Sequence, residues 1–468
     1  MPFASHIGKA RVSSQVRISA VVAAHVAASC VLFPSTMAPV SPPLRFGVKR
    51  GGQRFRFPVT AALWHRGRVL DPGAEIDLWG VSALRDAAWL TPDRARAWCR
   101  VLAALSLLGI AAALLTAQGG LDRQGKPLGT DFVSFYAAAR VAATENAAAA
   151  YDPALHAQAQ QALFPQTHYG YTTFLYPPPF LALCLPLAAL PYMIALAAWL
   201  AAGLAALAAA MRPLLPPGGW LPLLAFPALL VNAGHGQNAM LTAACFAGYM
   251  ALADRMPLLA GAVLGGLVIK PQLAMAIPLI LLCARRWRGL LGAGVSAAML
   301  CAGATLVLGA DAWRAFLAAA PAGGPMLAQG LNGFAKMPTV FAGIRLIGGS
   351  VGVATVAQTA VAVGVLAAAG ALAARRPGAA AEGALMAAAA LLISPWCFDY
   401  DLVVLAPALA WVLARAATGF LPWEKVSLLA AYLLPLAVRG IATSTFLPLG
   451  PPVLLLLFFA VCRRAATA

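Results

Sequence analysis

Pro177-Pro178-Pro179-Phe180-Leu181-Ala182-Leu183-Cys184-Leu185-Pro186-Leu187-Ala188-Ala189-Leu190 is apolar enough to be counted as a membrane crossing, and whether it crosses decides where every later segment lies. If it crosses, Arg212 and all later basic clusters fall outside the membrane. If it does not, Arg212, Asp254-Arg255, Arg285-Arg286-Trp287-Arg288, Arg375-Arg376, Arg415 with Glu424-Lys425, and Arg463-Arg464 all fall on one side. Basic residues between spans mark the cytoplasmic side. The Pro-broken stretch therefore reads as a re-entrant or juxtamembrane element that dips in and returns.

The composition demands such a frame. The chain has 468 residues, of which 62% are hydrophobic and 10% charged, with a mean hydropathy of +0.81. That places it among polytopic membrane proteins. Its net charge of +18 does not indicate nucleic-acid binding, because the arginines and lysines sit in short clusters between apolar runs. The eight cysteines are scattered through apolar stretches without a C-x-x-C pair, so they read as small buried hydrophobes and not as a disulfide framework or zinc site. No phosphate-binding Walker sequence, dinucleotide fingerprint or H-E-x-x-H occurs, which leaves ATP-driven transport, dinucleotide redox chemistry and zinc hydrolysis without support.

Residues 1–95 are rich in Arg, Pro and Gly and read as a disordered basic extension, or as translation of DNA upstream of the true start. The run Ile18 to Phe33 within them resembles a signal peptide or weak span. The body of the protein is expected over residues 96–464. Its first span covers about 98–117, with Arg94, Arg96 and Arg100 on the cytoplasmic side, and residues 118–190 form the first external loop with juxtamembrane elements. Apolar runs near 192–211, 219–232, 238–253, 257–269, 271–283, 289–309, 350–373, 381–395, 400–415, 425–440 and 446–461 bring the expected number of spans to twelve. Runs of 13 residues reach only about 20 Å at about 1.5 Å per residue, against a hydrocarbon core of about 30 Å. The pair 257–269 and 271–283 is therefore expected to line a cavity open to the outer face, with Lys270 inside it.

On this topology the polar residues gather on the outer side: Asp131 and Tyr136, Tyr151-Asp152-Pro153, His168-Tyr169, His235-Gly236-Gln237-Asn238, Lys270 with Gln272, Asn332 and Lys336, and Asp399-Tyr400-Asp401. Asp131 admits two readings. It fits a helix N-cap before Phe132-Val133-Ser134-Phe135, or it is a carboxylate able to take a proton. Lys270 could snorkel to the interface, pair with an acid such as Asp399, or meet an anion where Pro271 breaks the helix. His235, Gln237 and Asn238 either satisfy helix ends or offer donors and acceptors to sugar hydroxyls. His156 and His168 read as surface residues. Asp399-x-Asp401 mimics a metal-binding D-x-D, but residues two apart on a helix face differently.

Taken in order, Gly129-Thr130-Asp131-Phe132, Phe135-Tyr136, Tyr151-Asp152-Pro153, Phe174 through Phe180, Gly236-Gln237-Asn238, Ile269-Lys270-Pro271-Gln272 and Ser394-Pro395-Trp396 through Asp401 resemble glycosyltransferase family 87, over about residues 98–461. This group is similar to the polyprenyl-phosphate-mannose-dependent mannosyltransferases. The resemblance implies an all-α integral membrane protein, a GT-C-like polytopic helical bundle with about twelve spans and an outer-face cavity. It implies transfer of a hexose, mannose foremost, from a polyprenyl-phosphate donor to an acceptor hydroxyl of a glycan or glycolipid, with inversion, on the exterior or periplasmic side of the cell (inner) membrane. In it Asp131 matches the catalytic acid of the first external loop. Lys270, Gln272, Gln237, Asn238, His235, Lys336, Arg345, Asp399, Asp401 and Tyr136 are the candidates for binding the donor phosphate or sugar. A lipid monophosphate has no pyrophosphate to clamp, so neither a metal nor another cofactor is expected, and membrane lipid but not nucleic acid is an expected partner. The rival reading is a secondary transporter or lipid-linked sugar flippase, which should show two similar halves; residues 98–283 are not mirrored by 289–461.

Overall fold

The computed structural model describes residues 44–50, 53–59, 81–167 and 169–467, in two units, Met1–Trp79 and Gly80–Ala468. In the first unit Leu44–Arg50 pairs antiparallel with Gln53–Val59, Leu44 opposite Val59 and Arg50 opposite Gln53. The rest of the expected disordered extension up to residue 79, the run Ile18 to Phe33 included, lies outside the described residues. Helix Val81–Asp86 precedes a long helix, Pro92–Thr116, which opens with Thr91 as N-cap and proline in its first turn.

The described part of the second unit is helical. Six helical stretches are long and apolar enough to cross a membrane: Pro92–Thr116, Tyr192–Leu214, Trp287–Leu308, Val351–Ala374, Asp399–Thr418 and Glu424–Thr445. Against the twelve runs expected, the difference lies in the shorter apolar helices, Trp220–His235, Ala239–Leu252, Pro257–Ile269, Pro271–Cys283 and Ala379–Ile393 among them. Proline and glycine cut them. Phe226, Met256 and Lys270 each precede a proline and are driven out of helical backbone, Lys270 to φ −145° and ψ 69°. The Pro-broken stretch after Pro177 forms helix Pro178–Cys184 and a 3₁₀ turn to Ala189. Its 12 residues reach about 18 Å, short of the hydrocarbon thickness.

At the centre stands Ala379–Ile393, of which every residue except Ala380 is buried. A helix apolar on all sides belongs inside a bundle, and its alanines let Ala239–Leu252, Val351–Ala374 and Gly450–Ala466 approach closely. Glycine does the same for Pro257–Gly265 against Trp287–Leu308. A Cβ at Gly261 would lie 1.9 Å from the Gly289 carbonyl oxygen, and one at Gly292 would lie 2.1 Å from that of Leu258. Trp287–Leu308 buries only Gly289, Gly292 and Ala304, leaving the rest of its apolar surface partly or fully exposed.

A second core, aromatic, holds the external loop. Phe135 meets Phe180 at 4.8 Å and Tyr176 at 5.2 Å between ring centroids, and Phe132 meets Tyr192 at 5.5 Å, all edge to face. His156 belongs to this core and is fully buried, which corrects its reading as a surface residue. Its Nε2 lies 2.9 Å from the Ser134 carbonyl oxygen and so carries the proton, leaving Nδ1 to accept from the Tyr171 hydroxyl at 3.1 Å. His168 lies outside the described residues. Asp152 caps helix Pro153–Leu163 by accepting from the Ala154 and Leu155 amides.

Gly261→Ala should cost at least about 1–3 kcal/mol through overpacking and lower the thermal midpoint in detergent, whereas Gly294→Ala, which meets nothing within 4 Å, should not; equal behaviour of the two would refute the close crossing. Burial pushes His156 down from 6.5 to about 4 against the opposing hydrogen bond to Ser134. Because the folded value is depressed, the stability it confers is full above the unfolded value and is lost as pH falls towards the folded one, about 2 kcal/mol by about pH 5. His156→Gln should be less stable at neutral pH and should flatten this acid slope; an unchanged slope in melts across that window would rule the histidine out as its source.

Candidate active site

Backbone contact brings the Asp131 loop onto the turn at residues 235–238. Gly236 ends helix Pro227–His235 at φ +66°, and a Cβ there would lie 2.5 Å from Cβ of Phe132. Only glycine lets the two segments come this close. The Asp131 amide then donates to the His235 carbonyl at 3.0 Å, and Trp199 Nε1 donates to the Gly236 carbonyl at 3.1 Å from behind.

With its backbone held, the Asp131 side chain makes no capping bond to the helix it precedes. Its carboxylate instead accepts from Gln237 Nε2 at 2.9 Å on Oδ2, and on Oδ1 lies 3.3 Å from His235 Nδ1 and 3.4 Å from Thr130 Oγ1. Tyr176 donates to Gln237 Oε1 at 3.1 Å, which fixes the amide with its NH₂ towards Asp131. The side chain remains 19% exposed. Burial disfavours its charge, but the hydrogen bonds from His235 and Gln237, with the charge of Lys336 nearby, outweigh that and hold the carboxyl below the usual carboxylate range.

His235 links this carboxylate to a second. Arg439 Nη2 lies 2.9 Å from His235 Nε2. A guanidinium only donates, so Nε2 is the acceptor, the ring is neutral, and its proton sits on Nδ1, towards Thr130 Oγ1 at 2.8 Å and Asp131. Arg439 is held by Asp399, with Nε to Oδ2 at 2.7 Å and Nη2 to Oδ1 at 2.9 Å, the two-pronged geometry that favours arginine. Arg439 was not among the residues singled out from the sequence, because it lies in an apolar run counted only as a span. An arginine within such a run was the clue, since charge there is costly and accordingly paired.

Behind this row Lys270 and Asp401 form a sealed pair, 2.5 Å apart with side chains 2% and 0% exposed. Lys270 also reaches Asn238 Oδ1 at 3.4 Å and lies over the Tyr400 ring at 5.1 Å. Asp401 accepts from the Phe398 amide at 3.0 Å. The partner of Lys270 is thus Asp401 and not Asp399, and the lysine is buried inside the bundle instead of standing in an open cavity. The two acids of the D-x-D diverge, one to Arg439 and one to Lys270.

Lys336, on the turn Phe334–Lys336, has no ion pair among the described residues. Burial and the positive charge of Arg439 push its pKa down, while Asp131 and Asp399 act in the opposite sense. Arg345 steadies the same loop by donating to the carbonyls of Gly349 at 2.7 Å and Ala328 at 3.1 Å. Tyr136 is committed to the aromatic core, its hydroxyl donating to the Leu190 carbonyl at 2.7 Å. Gln272 lies in the turn after Lys270 and is half-buried. The structure therefore gathers Asp131, His235, Gln237, Asn238, Lys270, Asp399, Asp401 and Lys336, adds Thr130, Tyr176 and Arg439, and leaves Tyr136 and Arg345 in supporting positions.

The family model for glycosyltransferase family 87 matches residues 174–395. Over that stretch the chain resembles glycosyltransferase family 87. No curated protein and no solved structure matches it. That likeness, with the six apolar helices of membrane length, supports a membrane glycosyltransferase. The matched stretch includes Tyr176, His235, Gln237, Asn238, Lys270, Lys336 and Arg345; Asp131, Asp399, Asp401 and Arg439 lie outside it and join the site through the fold.

The sealed Lys270–Asp401 pair bears on stability. Lys270→Met leaves Asp401 buried and uncompensated and should cost about 3–5 kcal/mol, much of which Lys270→Met/Asp401→Leu should restore. Thermal unfolding in detergent decides: a Met single variant as stable as the parent would show that the pair does not compensate Asp401.

Proposed function

We propose that this membrane glycosyltransferase moves a hexose, mannose foremost, from a polyprenyl phosphate to an acceptor hydroxyl of a glycan or glycolipid, with inversion, at the outer face of the cell membrane. The observation that carries the reading is the Asp131 carboxylate, partly exposed, aimed by Gln237 and His235, and free of any capping duty. In the transfer the acceptor oxygen forms its bond to the anomeric carbon as its proton passes to Asp131. The bond from that carbon to the phosphate oxygen breaks, and its electron pair leaves with the lipid phosphate. One base is enough for an inverting displacement. Asp399 and Asp401 are already neutralised by Arg439 and Lys270, which supports a single working carboxylate.

Departure of the lipid phosphate adds negative charge, which fixed cations stabilise. Lys336 and Arg439 are suited to this, the first without an ion pair and the second with its side chain 38% exposed. Lys270 supports the floor, and together with Asn238 and Gln237 shapes the sugar subsite. The basic clusters support the sidedness, since they agree on a cytoplasmic location when residues 177–190 do not cross.

The test is Asp131→Asn, which preserves size and the bond from Gln237 in altered form while removing basicity. Transfer of hexose from polyprenyl phosphate in purified membranes should fall by roughly 10²-fold or more with normal insertion. In the parent, a carboxyl held below its usual range stays ionised to acidic pH, so the acid limb of the rate profile should not lie above about pH 5. Turnover by the Asn variant near that of the parent would remove Asp131 as the base, and transfer only from a nucleotide sugar would remove the lipid donor.

A further inference from the structure

Helix Ala239–Leu252 begins beside Asn238 in the candidate site and runs 14 residues, about 21 Å at about 1.5 Å each, to the opposite end of the bundle. There a cleft of about 340 Å³ is lined by Tyr249, Arg285, Arg286, Trp287, Arg288 and Arg376. We infer that this cleft binds the phosphate headgroup of an anionic membrane lipid, a site separate from the one that carries Asp131.

The charges of the cleft are unevenly committed. Arg286 is engaged by the fully buried Glu382, Nε to Oε2 at 2.9 Å, and by Asp254 at 3.4 Å, while the Tyr249 hydroxyl donates to Glu382 at 2.8 Å. Both carboxylates near the cleft are thus engaged by Arg286. Arg285, Arg288 and Arg376 are exposed and have no ion pair among the described residues. Three open guanidiniums around one concave space suit a phosphate group, whose oxygens accept several charge-assisted bonds at once.

Backbone geometry separates this from a merely basic helix end. Arg285 at φ 55° and Arg376 at φ 58° both occupy left-handed backbone just past a helix C-terminus, where glycine is the usual occupant. A bulky L-residue is disfavoured there. An arginine one residue earlier would serve the helix dipole or membrane orientation without that cost. At both helix ends the strained position is instead filled by the arginine that lines the cleft.

The surroundings point to a lipid as the source of the phosphate. Trp287 is 60% exposed at the rim, and tryptophan favours the membrane interface. The two helices that start or end at the cleft, Trp287–Leu308 and Val351–Ala374, are of membrane length and mostly unburied, so acyl chains can lie along them while the headgroup sits among the arginines.

The full chain would be placed in nanodiscs of phosphatidylcholine alone or mixed with phosphatidylglycerol, and retained lipid read by native mass spectrometry alongside thermal unfolding. The parent should retain phosphatidylglycerol in preference to phosphatidylcholine and melt higher in its presence; Arg285→Gln/Arg288→Gln/Arg376→Gln should lose that preference by tenfold or more, and Arg212→Gln, a basic residue elsewhere, should keep it. Should the triple variant not fold, Arg285→Gly and Arg376→Gly decide, because each removes a cation and relieves the left-handed backbone: both should melt no lower than the parent in phosphatidylcholine and yet lose the preference. Glycine variants that retain phosphatidylglycerol as the parent does, or a parent with no preference, would overturn the proposal. Inorganic phosphate raising the melting temperature in pure phosphatidylcholine as much as phosphatidylglycerol does would reassign the cleft to a soluble phosphate.

Discussion

Placing ionised groups in an apolar bundle costs several kcal/mol per ion unless each finds an opposite charge and enough hydrogen bonds, and the candidate site is organised around meeting that condition. Asp401 is satisfied by Lys270 and the Phe398 amide, and Asp399 by the Nε–Nη2 edge of the Arg439 guanidinium. Once those two acids are compensated, Asp131 is left as the carboxylate whose partners, a glutamine amide and a neutral imidazole, orient it without cancelling its charge. The difference between a structural and a reactive acid here is a difference of partners.

The broken helices serve the same end. A continuous helix satisfies its own backbone and offers only side chains, whereas the interruptions at Gly236, Lys270-Pro271 and Phe398 bring turns and helix ends to one level of the bundle. Irregular backbone at membrane depth is tolerated where protein surrounds it. The alanine-rich central helix and the glycine crossing at Gly261 and Gly289 supply that surrounding by letting neighbouring helices approach closely.

Much of this could be read from the amino-acid order. Hydropathy located the apolar segments, and proline and glycine located their ends, because both act locally. Asp131, the 235–238 turn, Lys270 and the Asp399–Asp401 pair stood out because polar groups are rare in such a chain. Pairing was less legible. Which acid meets Lys270 depends on how a 3₁₀ turn directs residues 399 and 401, and Arg439 becomes part of the site through packing between helices distant in sequence. His156 misled for a related reason: a histidine in a polar loop gives no sign that the loop folds over an aromatic core. Span number was the hardest feature, since a 13-residue apolar helix has the same local pattern whether or not it traverses lipid.

The bond from the Asp131 amide to the His235 carbonyl is made by backbone alone. The position of the loop is therefore independent of which side chains stand at 131 and 235, so the frame and the reactive groups can vary separately. In an evolving lineage this allows proton-handling and sugar-contacting groups to be exchanged while the architecture persists, and for engineering it marks 131, 235 and 237 as sites where new chemistry can be installed without rebuilding the loop.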